Sequence, residues 1–172
     1  MVLYVIFFRG CPLLVLLFLL YFGLPSIGIV LGSYLSALFG FILCNSAYNS
    51  EYLRGGLQSI KGGQMLAARS LGMTKWQAIR SIILPQTLRL SLPGWSNEYP
   101  VLLTDSSVAY VIGVAELLTR TAQVISRTGE PMLLYLSCAL MFILLNYGGM
   151  MLIQLIEKKT HIPGLGPEGG EA

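Results

Sequence analysis

The sequence predicts an all-α membrane protein, a bundle of about four transmembrane helices with a helical hairpin on the cytoplasmic side. Two stretches, Gly10 to Ser50 and Pro131 to Ile156, contain no charged side chain. A charged group at the centre of a bilayer costs on the order of 3 kcal/mol or more, so such stretches are typical of chain that lies in lipid. Composition agrees, since 55% of the 172 residues are hydrophobic and 11% are charged, against about 25% charged in a typical soluble domain.

The first uncharged stretch is too long for one span of roughly 20 residues. Near its middle, Gly23-Leu24-Pro25-Ser26-Ile27-Gly28 is typical of a tight turn, so we expect two spans, 7–22 and 29–48. Small residues in the second span allow close helix contacts in lipid, which favours a place inside the bundle. A third span, 93–113, is the most polar, and a fourth, 132–156, is uniformly apolar.

Basic residues are distributed unevenly about these four spans. An even number of spans places both chain ends on one side, together with the central loop, 51–90. Nine of the eleven Lys and Arg residues then fall on that side: Arg9, Arg54, Lys61, Arg69, Lys75, Arg80, Arg89, Lys158 and Lys159. Only Arg120 and Arg127 fall on the other side. Because basic residues are enriched in cytoplasmic loops, we expect both termini and the central loop in the cytoplasm.

The domain organisation follows from the same pattern. We expect a single membrane domain over residues 1–159. The remaining residues, 160–172, are rich in Gly and Pro and predict a flexible, solvent-exposed tail.

The central loop is patterned as two short helices joined by a glycine. Helix-forming residues occupy the stretch from Gln64 to Leu71, and Gly72 stands where a left-handed residue ends a helix. Thr74-Lys75-Trp76-Gln77 fits a capping box, which predicts the start of a second helix. That helix extends to about Leu84, and Pro85 is expected to end or kink it.

Three small residues of this hairpin, Ala67, Ala68 and Gly72, form a predicted docking surface. Little side chain covers the backbone there, so a groove of another protein can close on it, as in helix-in-groove recognition. The alternative is a surface hairpin that merely connects two spans.

Several motifs follow one another in a fixed order along the chain. In the loop they are Gln64-Met65-Leu66-Ala67-Ala68-Arg69-Ser70-Leu71-Gly72, Trp76-Gln77-Ala78 and Ile83-Leu84-Pro85-Gln86. Outside the loop they are Phe7-Phe8-Arg9-Gly10, Tyr21-Phe22-Gly23-Leu24-Pro25, Asn97-Glu98-Tyr99 and Asp105-Ser106-Ser107. Together they resemble the permease subunits of ABC importers, in particular the polar amino-acid subfamily, whose cytoplasmic EAA loop the hairpin matches. The resemblance covers the chain to about Lys159.

The resemblance implies a transport mechanism. A permease of this family pairs with itself or a relative, and each copy lodges its EAA loop, the coupling helix, in a cleft of a separate ATPase subunit. ATP-driven closure of the ATPases switches the bundle between outward and inward access, and an extracytoplasmic binding protein delivers the substrate. Leu66, Ala67, Ala68 and Gly72 are then the expected ATPase-coupling residues. The sequence contains no GxxxxGK[ST] phosphate loop, so we expect a transport subunit without its own ATPase site.

The chain departs from the family pattern in three places. Leu66 stands where the family has the glutamate that gives the loop its name, which predicts altered coupling contacts. Lys61-Gly62 replaces the usual Pro-Lys before the Gly-Gln step. The family also has one more span upstream, so this chain is expected to lack the family's first span.

Acidic side chains within a span are functional candidates. Glu98 and Asp105 lie seven positions apart in the third span, two turns along one helix face. Such carboxylates can attract the ammonium group or basic side chain of an amino acid. Helix-end anchoring or interhelical hydrogen bonding is the alternative for both. Asn45, near the end of the second span, is a further pathway candidate, with interhelical hydrogen bonding as its alternative.

Other chemistries have little support in the sequence. Cys11, Cys44 and Cys138 are isolated in or beside apolar segments, which is typical of packing residues. The one histidine, His161, lies in the tail, so the spans can build neither a His-based metal site nor a Ser-His hydrolase. We expect no cofactor and, with a net charge of +3, no nucleic-acid partner. A non-transporting scaffold or truncated remnant, and a small channel, are the alternatives to a transporter.

Overall fold

The computed structural model describes residues 2–60 and 62–160, so the predicted tail beyond residue 160 lies outside the described residues. Every regular element among the described residues is a helix, as the sequence predicts. The α-helices are α1 (Val2–Gly10), α2 (Leu13–Phe18), α3 (Ser33–Gln58), α4 (Gly63–Ser70), α5 (Lys75–Ala78), α6 (Leu84–Asp105), α7 (Leu117–Thr128) and α8 (Pro131–Thr160).

Short helical turns of other types extend three of these helices. A π turn, Leu19–Gly23, and a 3-10 turn, Leu24–Ile27, continue α2. A second π turn, Ile79–Ile83, joins α5 to α6. The 3-10 turn Ser106–Ile112 continues α6.

The first predicted span contains a sharp bend. α1 and the segment Leu13–Ile27 meet at 98° across Cys11 and Pro12. Proline lacks an N–H and pushes the residue before it out of helical geometry, so one helix stops at Gly10 and another starts at Leu13. Within the predicted span 7–22, residues 7–10 therefore belong to a separate helix from the rest.

Length and composition identify few uninterrupted spans among the described helices. Pro131–Lys159 qualifies to cross a membrane on its own. Two bent pairs qualify if each pair counts as one span: Val2–Gly10 with Leu13–Ile27, and Lys75–Ile112 with Leu117–Thr128, which meet at 52°. This criterion gives one to three spans, against the four that the sequence predicts. α3, which holds most of the predicted second span, is not among them.

Pro85 does not end the helix that follows the hairpin. α5 passes through the π turn into α6, and the N–H of Leu84 bonds to the carbonyl of Ile79, five residues back. Proline lacks an N–H and crowds the carbonyl four residues earlier, so a widened turn just upstream accommodates it without a break. Of the two expected outcomes, an end or a kink, the end does not occur, because one element runs from Lys75 to Ile112.

The described residues form two compact units. The first takes in those of Met1–Tyr48 and Tyr99–Met150, and the second those of Asn49–Glu98 and Met151–Ala172. The core of the first unit consists of Leu17, Ala37, Ala109 and Ile112, surrounded by Leu13, Tyr21, Phe41, Val108 and Val114. α2 approaches α3 closely there, because a Cβ added to Gly40 would lie 2.6 Å from a methyl carbon of Leu17.

Candidate functional site

The candidate site is the helical hairpin formed by α4, α5 and the turn between them, in the second unit. α4 ends in a Schellman motif, in which Met73 N–H donates to Ala68 O at 3.1 Å and Gly72 N–H to Arg69 O at 3.0 Å. Gly72 has a φ of +80°, in the left-handed region that favours glycine. The glycine turn predicted at this position is confirmed.

The second helix of the hairpin begins at the predicted capping box. Thr74 Oγ1 accepts from the N–H of Gln77 at 3.3 Å, and Gln77 Oε1 accepts from the N–H of Thr74 at 2.9 Å. These reciprocal bonds satisfy backbone donors that a helix N-terminus otherwise leaves free. α4 also contacts α5 and the π turn Ile79–Ile83. The hairpin therefore has a fixed local structure, and hydrogen bonds within its turn hold the two helices together.

Large apolar side chains project from this hairpin. Leu66, Leu71 and Trp76 are 71%, 82% and 72% exposed. Sequence reasoning assigned Leu66 to coupling only by resemblance and did not single out Leu71. The available signal was an apolar residue on each side of the Gly72–Thr74 turn, where polar residues are usual.

The four predicted coupling residues do not all share this surface. Ala67, Gly72 and Leu66 are exposed, as a docking role requires. Ala68 is 2% exposed, so the expectation that it belongs to the exposed surface was wrong. Ala68 follows Ala67 by about 100° around the helix, which turns it from the surface to the packed side. Ala78 of α5 is also buried, and small side chains at both positions let the two helices lie close together.

The hairpin also carries exposed basic side chains. Arg69, Lys75 and Arg80 are all exposed on the hairpin. Residues 63–83, the described residues that form the hairpin, contain no acidic side chain to offset these charges. The hairpin thus combines exposed apolar side chains with positive charge, which suits a groove that offers apolar and acidic groups.

The helices that flank the hairpin in sequence, α3 and α6, pack closely at two glycines. A Cβ on Gly56 would lie 2.5 Å from Ser91 Oγ and 2.8 Å from the carbonyl oxygen of Thr87. A Cβ on Gly94 would lie 2.7 Å from the ring of Tyr52. Ser91 Oγ also lies 3.1 Å from the carbonyl oxygen of Tyr52. We call Tyr52, Gly56, Ser91 and Gly94 the root contact of the hairpin.

Glu98 is engaged with the same tyrosine. Tyr52 Oη donates to Glu98 Oε2 at 2.5 Å, and Glu98 is half-buried. The interhelical hydrogen bond that the sequence offered as an alternative for Glu98 is therefore present. A second polar link in this unit joins α6 to α8, with Ser96 Oγ 3.4 Å from Glu157 Oε2.

The other two candidate pathway residues belong to the first unit. Asp105 is half-buried at the end of α6, where the 3-10 turn begins. Ser106 and Ser107, which follow it, donate to the backbone carbonyls of Leu103 and Thr104. Asn45 Nδ2 donates to the carbonyl of Phe41 at 2.8 Å, within α3.

Cysteines and acids offer no metal centre in the described ranges. Cys44 and Cys138 are buried, as predicted for packing residues, whereas Cys11 is partly exposed. Among residues 2–60 and 62–160, no group of three or more His, Cys, Asp or Glu side chains is placed to hold a metal ion.

An all-helical membrane component with a structured hairpin between its spans is a known class of transport protein. The model of the family "Binding-protein-dependent transport system inner membrane component" matches residues 1–162. The chain belongs to this family, so it is a membrane component of a transport system.

Individual relatives agree with the family. A Bacillus subtilis (strain 168) protein described as the probable amino-acid ABC transporter permease YckA is 41% identical over 157 residues, 91% of this chain and 70% of that protein. The glutamate/aspartate import permease GltK of Escherichia coli O6:H1 is 32% identical, over 91% of this chain and 74% of that protein. The crystal structure of an amino acid ABC transporter with histidines has a TM-score of 0.84 and 34% identity, over 92% of this chain and 74% of that one.

Proposed function

We propose that this chain is the transmembrane subunit of an ATP-driven importer that translocates polar amino acids across the cytoplasmic membrane. It couples to separate ATPase subunits through the hairpin. The observation that carries this proposal is the exposure of Leu66, Leu71 and Trp76 on a hairpin of defined shape. Large apolar side chains left exposed on a hairpin that lies outside the proposed spans mark a surface that a partner covers.

The proposed contact with the ATPase uses the exposed members of the hairpin. Leu66, Ala67 and Gly72 enter the groove together with Leu71 and Trp76, while buried Ala68 supports the helix from behind. Leu66 stands where the resembled family carries glutamate, so an apolar contact replaces a polar one at this point of the interface. Large apolar side chains in a closed pocket supply most of the affinity of such interfaces.

Amino acids are the proposed substrates because of the chain's relatives. YckA and GltK are described as permeases for amino acids and for glutamate and aspartate. Asp105, Glu98 and Asn45 are the proposed pathway residues. Glu98 accepts a hydrogen bond from Tyr52 on Oε2, so a substrate ammonium group would share the carboxylate with that tyrosine. Asp105, half-buried at the end of α6, is the first pathway candidate for substitution.

The proposed arrangement in the membrane has the four predicted spans, 7–22, 29–48, 93–113 and 132–156. The helical parts of the first two are taken as Leu13–Ile27, after the bend, and 33–48, within α3. The nine-to-two distribution of basic residues supports cytoplasmic termini and a cytoplasmic hairpin. The proposed partners are two ATPase subunits, a second permease copy, an extracytoplasmic binding protein and the lipid bilayer, without nucleic acid. The family description, an inner membrane component of a binding-protein-dependent system, supports the binding protein and the location.

Co-purification tests the coupling surface. The tagged chain is isolated in mild detergent from native membranes, and ATP hydrolysis in the eluate is measured per mole of chain. Leu71→Asp places a charge in the proposed apolar contact, and we expect at least a tenfold loss, as for an interface residue worth about 1.4 kcal/mol or more. Val30→Asp is the matched control, because Val30 is 79% exposed and Leu71 is 82% exposed.

Two outcomes decide between docking and a plain connector. Loss of ATPase with Leu71→Asp and retention with Val30→Asp supports the hairpin as the docking element. Equal recovery of ATPase with both variants contradicts the proposal. An apolar groove that closed on Leu71 would not tolerate a charge at that position.

A further inference from the structure

α1 is set almost at a right angle to the segment that follows it. The two meet at 98°, and the break lies at Cys11 and Pro12. If Leu13–Ile27 crosses the bilayer, as proposed above, α1 runs close to parallel with the membrane surface. The inference below rests on that proposed span.

One face of α1 is fastened to α3. Tyr4 Oη lies 3.1 Å from the carbonyl oxygen of Leu43 and 2.6 Å from Ser46 Oγ. The rings of Tyr4 and Phe8 are 4.7 Å apart, and the Cys44 thiol donates to the carbonyl of Phe8 at 3.7 Å. Tyr4 and Phe8 are four positions apart, so this attachment defines one side of the helix.

The opposite face of α1 is apolar and open. Leu3, Ile6 and Phe7 are each more than half exposed, and their spacing of three and four positions places them side by side. α1 contains a single charged residue, Arg9. A helix surface that faces water would carry polar side chains at these positions.

Arg9 and its aromatic neighbour mark the level of the headgroups. The guanidinium carbon of Arg9 is 5.1 Å from the centre of the Tyr48 ring, a cation–π arrangement. Tyrosine rings concentrate where hydrocarbon meets water, and arginine extends toward phosphate there. Arg9 is in the last turn of α1, next to the bend, so this pair places the helix at the membrane boundary.

We propose that α1 is an interfacial helix whose partner is the lipid bilayer itself. Leu3, Ile6 and Phe7 enter the acyl-chain boundary of the cytoplasmic leaflet, and Arg9 meets phosphate headgroups. Helices of this kind lie with the apolar face about 5–10 Å into that boundary. The tyrosine side holds α1 to α3, so the same helix connects the bundle to the membrane surface.

Spin-label depth measurements test this placement in the whole chain. Cys11, Cys44 and Cys138 are replaced by alanine, and single cysteines are introduced at Leu3, Ile6 and Phe7. The labelled protein is reconstituted in vesicles of mixed phosphatidylcholine and phosphatidylglycerol. The paramagnetic accessibility to oxygen, which partitions into lipid, is compared with that to a water-soluble nickel chelate.

Labels on the following segment provide the reference. Val15, Leu19 and Phe22 are exposed in the first unit, and in a spanning helix their depth changes by about 1.5 Å per residue, or roughly 6 Å from Val15 to Leu19. The α1 labels should instead share one shallow depth of about 5–10 Å and favour oxygen over nickel. Monodisperse elution after cysteine removal shows that the background protein is folded.

Each other result overturns the inference. Depth that increases steadily along α1 into Leu13–Ile27 shows a kinked span. Preference for the nickel chelate shows a water-exposed helix, and low accessibility to both reagents shows a protein partner, such as a second copy. If the Val15, Leu19 and Phe22 labels themselves lie outside lipid, the proposed span fails and the inference fails with it. If the α1 labels are accessible to water while the Val15, Leu19 and Phe22 labels lie in lipid, the inference about α1 fails but the proposed function stands.

Discussion

The root contact of the hairpin gives the sharpest test of the structure, through adjacent glycines on α3. Gly56→Ala would place a Cβ 2.5 Å from Ser91 Oγ and 2.8 Å from the backbone oxygen of Thr87. The serine can rotate, but the backbone oxygen belongs to α6 and moves only with its helix. Gly55→Ala is the matched control, because nothing lies within 4 Å of its added Cβ.

The magnitude follows from overpacking. Forcing an extra methyl into a filled contact costs about 1–3 kcal/mol. In Gly55→Ala no clash opposes the gain in helix propensity, roughly 0.5–1 kcal/mol in soluble helices. For a chain of this size about 1 kcal/mol corresponds to roughly 2–4 °C in the unfolding midpoint. We therefore expect Gly56→Ala to lower the apparent midpoint by about 2–12 °C, and Gly55→Ala to leave it unchanged or raise it slightly.

The assay is thermal aggregation in detergent, read as the fraction of monodisperse protein that survives a series of temperatures. Adding Ser91→Ala to Gly56→Ala removes the contact with Oγ but keeps that with Thr87 O, so it should restore part of the loss. Equal midpoints for Gly55→Ala and Gly56→Ala would refute the close crossing of α3 and α6. Full rescue by Ser91→Ala would show that the Thr87 backbone is farther away than the structure places it.

Three further predictions concern the hairpin and the acids. Gly72→Ala puts a Cβ on a residue with φ +80° in open space, so its cost is backbone strain of about 1–2 kcal/mol. Gly72→Asn should cost less, because asparagine also occurs at left-handed helix ends. Recovered ATPase and the thermal midpoint should therefore fall most with Gly72→Ala and less with Gly72→Asn. Tyr52→Phe removes the donor to Glu98 and should lower the free energy of unfolding by about 1.5–3 kcal/mol, with a matching drop in the thermal midpoint. Tyr34→Phe, at an exposed residue, should leave the midpoint unchanged. Asp105→Asn should lower uptake of radiolabelled amino acids by membrane vesicles without changing ATPase recovery, and unchanged rate and affinity would remove Asp105 from the pathway.

Local features of the fold were predictable from the sequence because local bonds determine them. The left-handed turn at Gly72 and the capping box at Thr74 involve partners at most five residues apart, so residue identities suffice to locate them. The helical class likewise follows from long uncharged stretches. The bend at Pro12 was missed because apolar residues lie on both sides of it. A proline two residues after a glycine was the signal present.

The candidate surface was less predictable, because it depends on which face of α4 packs against α5. Small size made Ala67 and Ala68 look equivalent, but a rotation of one residue buries Ala68 and exposes Ala67. Leu71 and Trp76 look like core residues in a sequence of high hydrophobicity, and only the folded hairpin shows them exposed. Tertiary contacts, rather than residue type, decide these positions.

The root contact supports the proposed coupling of the hairpin to the two helices from which it extends. α3 and α6 are the two helices from which the hairpin extends, and Gly56, Ser91, Gly94 and Tyr52 bring them into backbone-level contact. Under the proposed docking, a displacement of the hairpin would therefore reach both helices together, rather than one through a flexible linker. At Gly56 the neighbouring Thr87 carbonyl is a backbone group, so no side-chain rotation can absorb a displacement at that point.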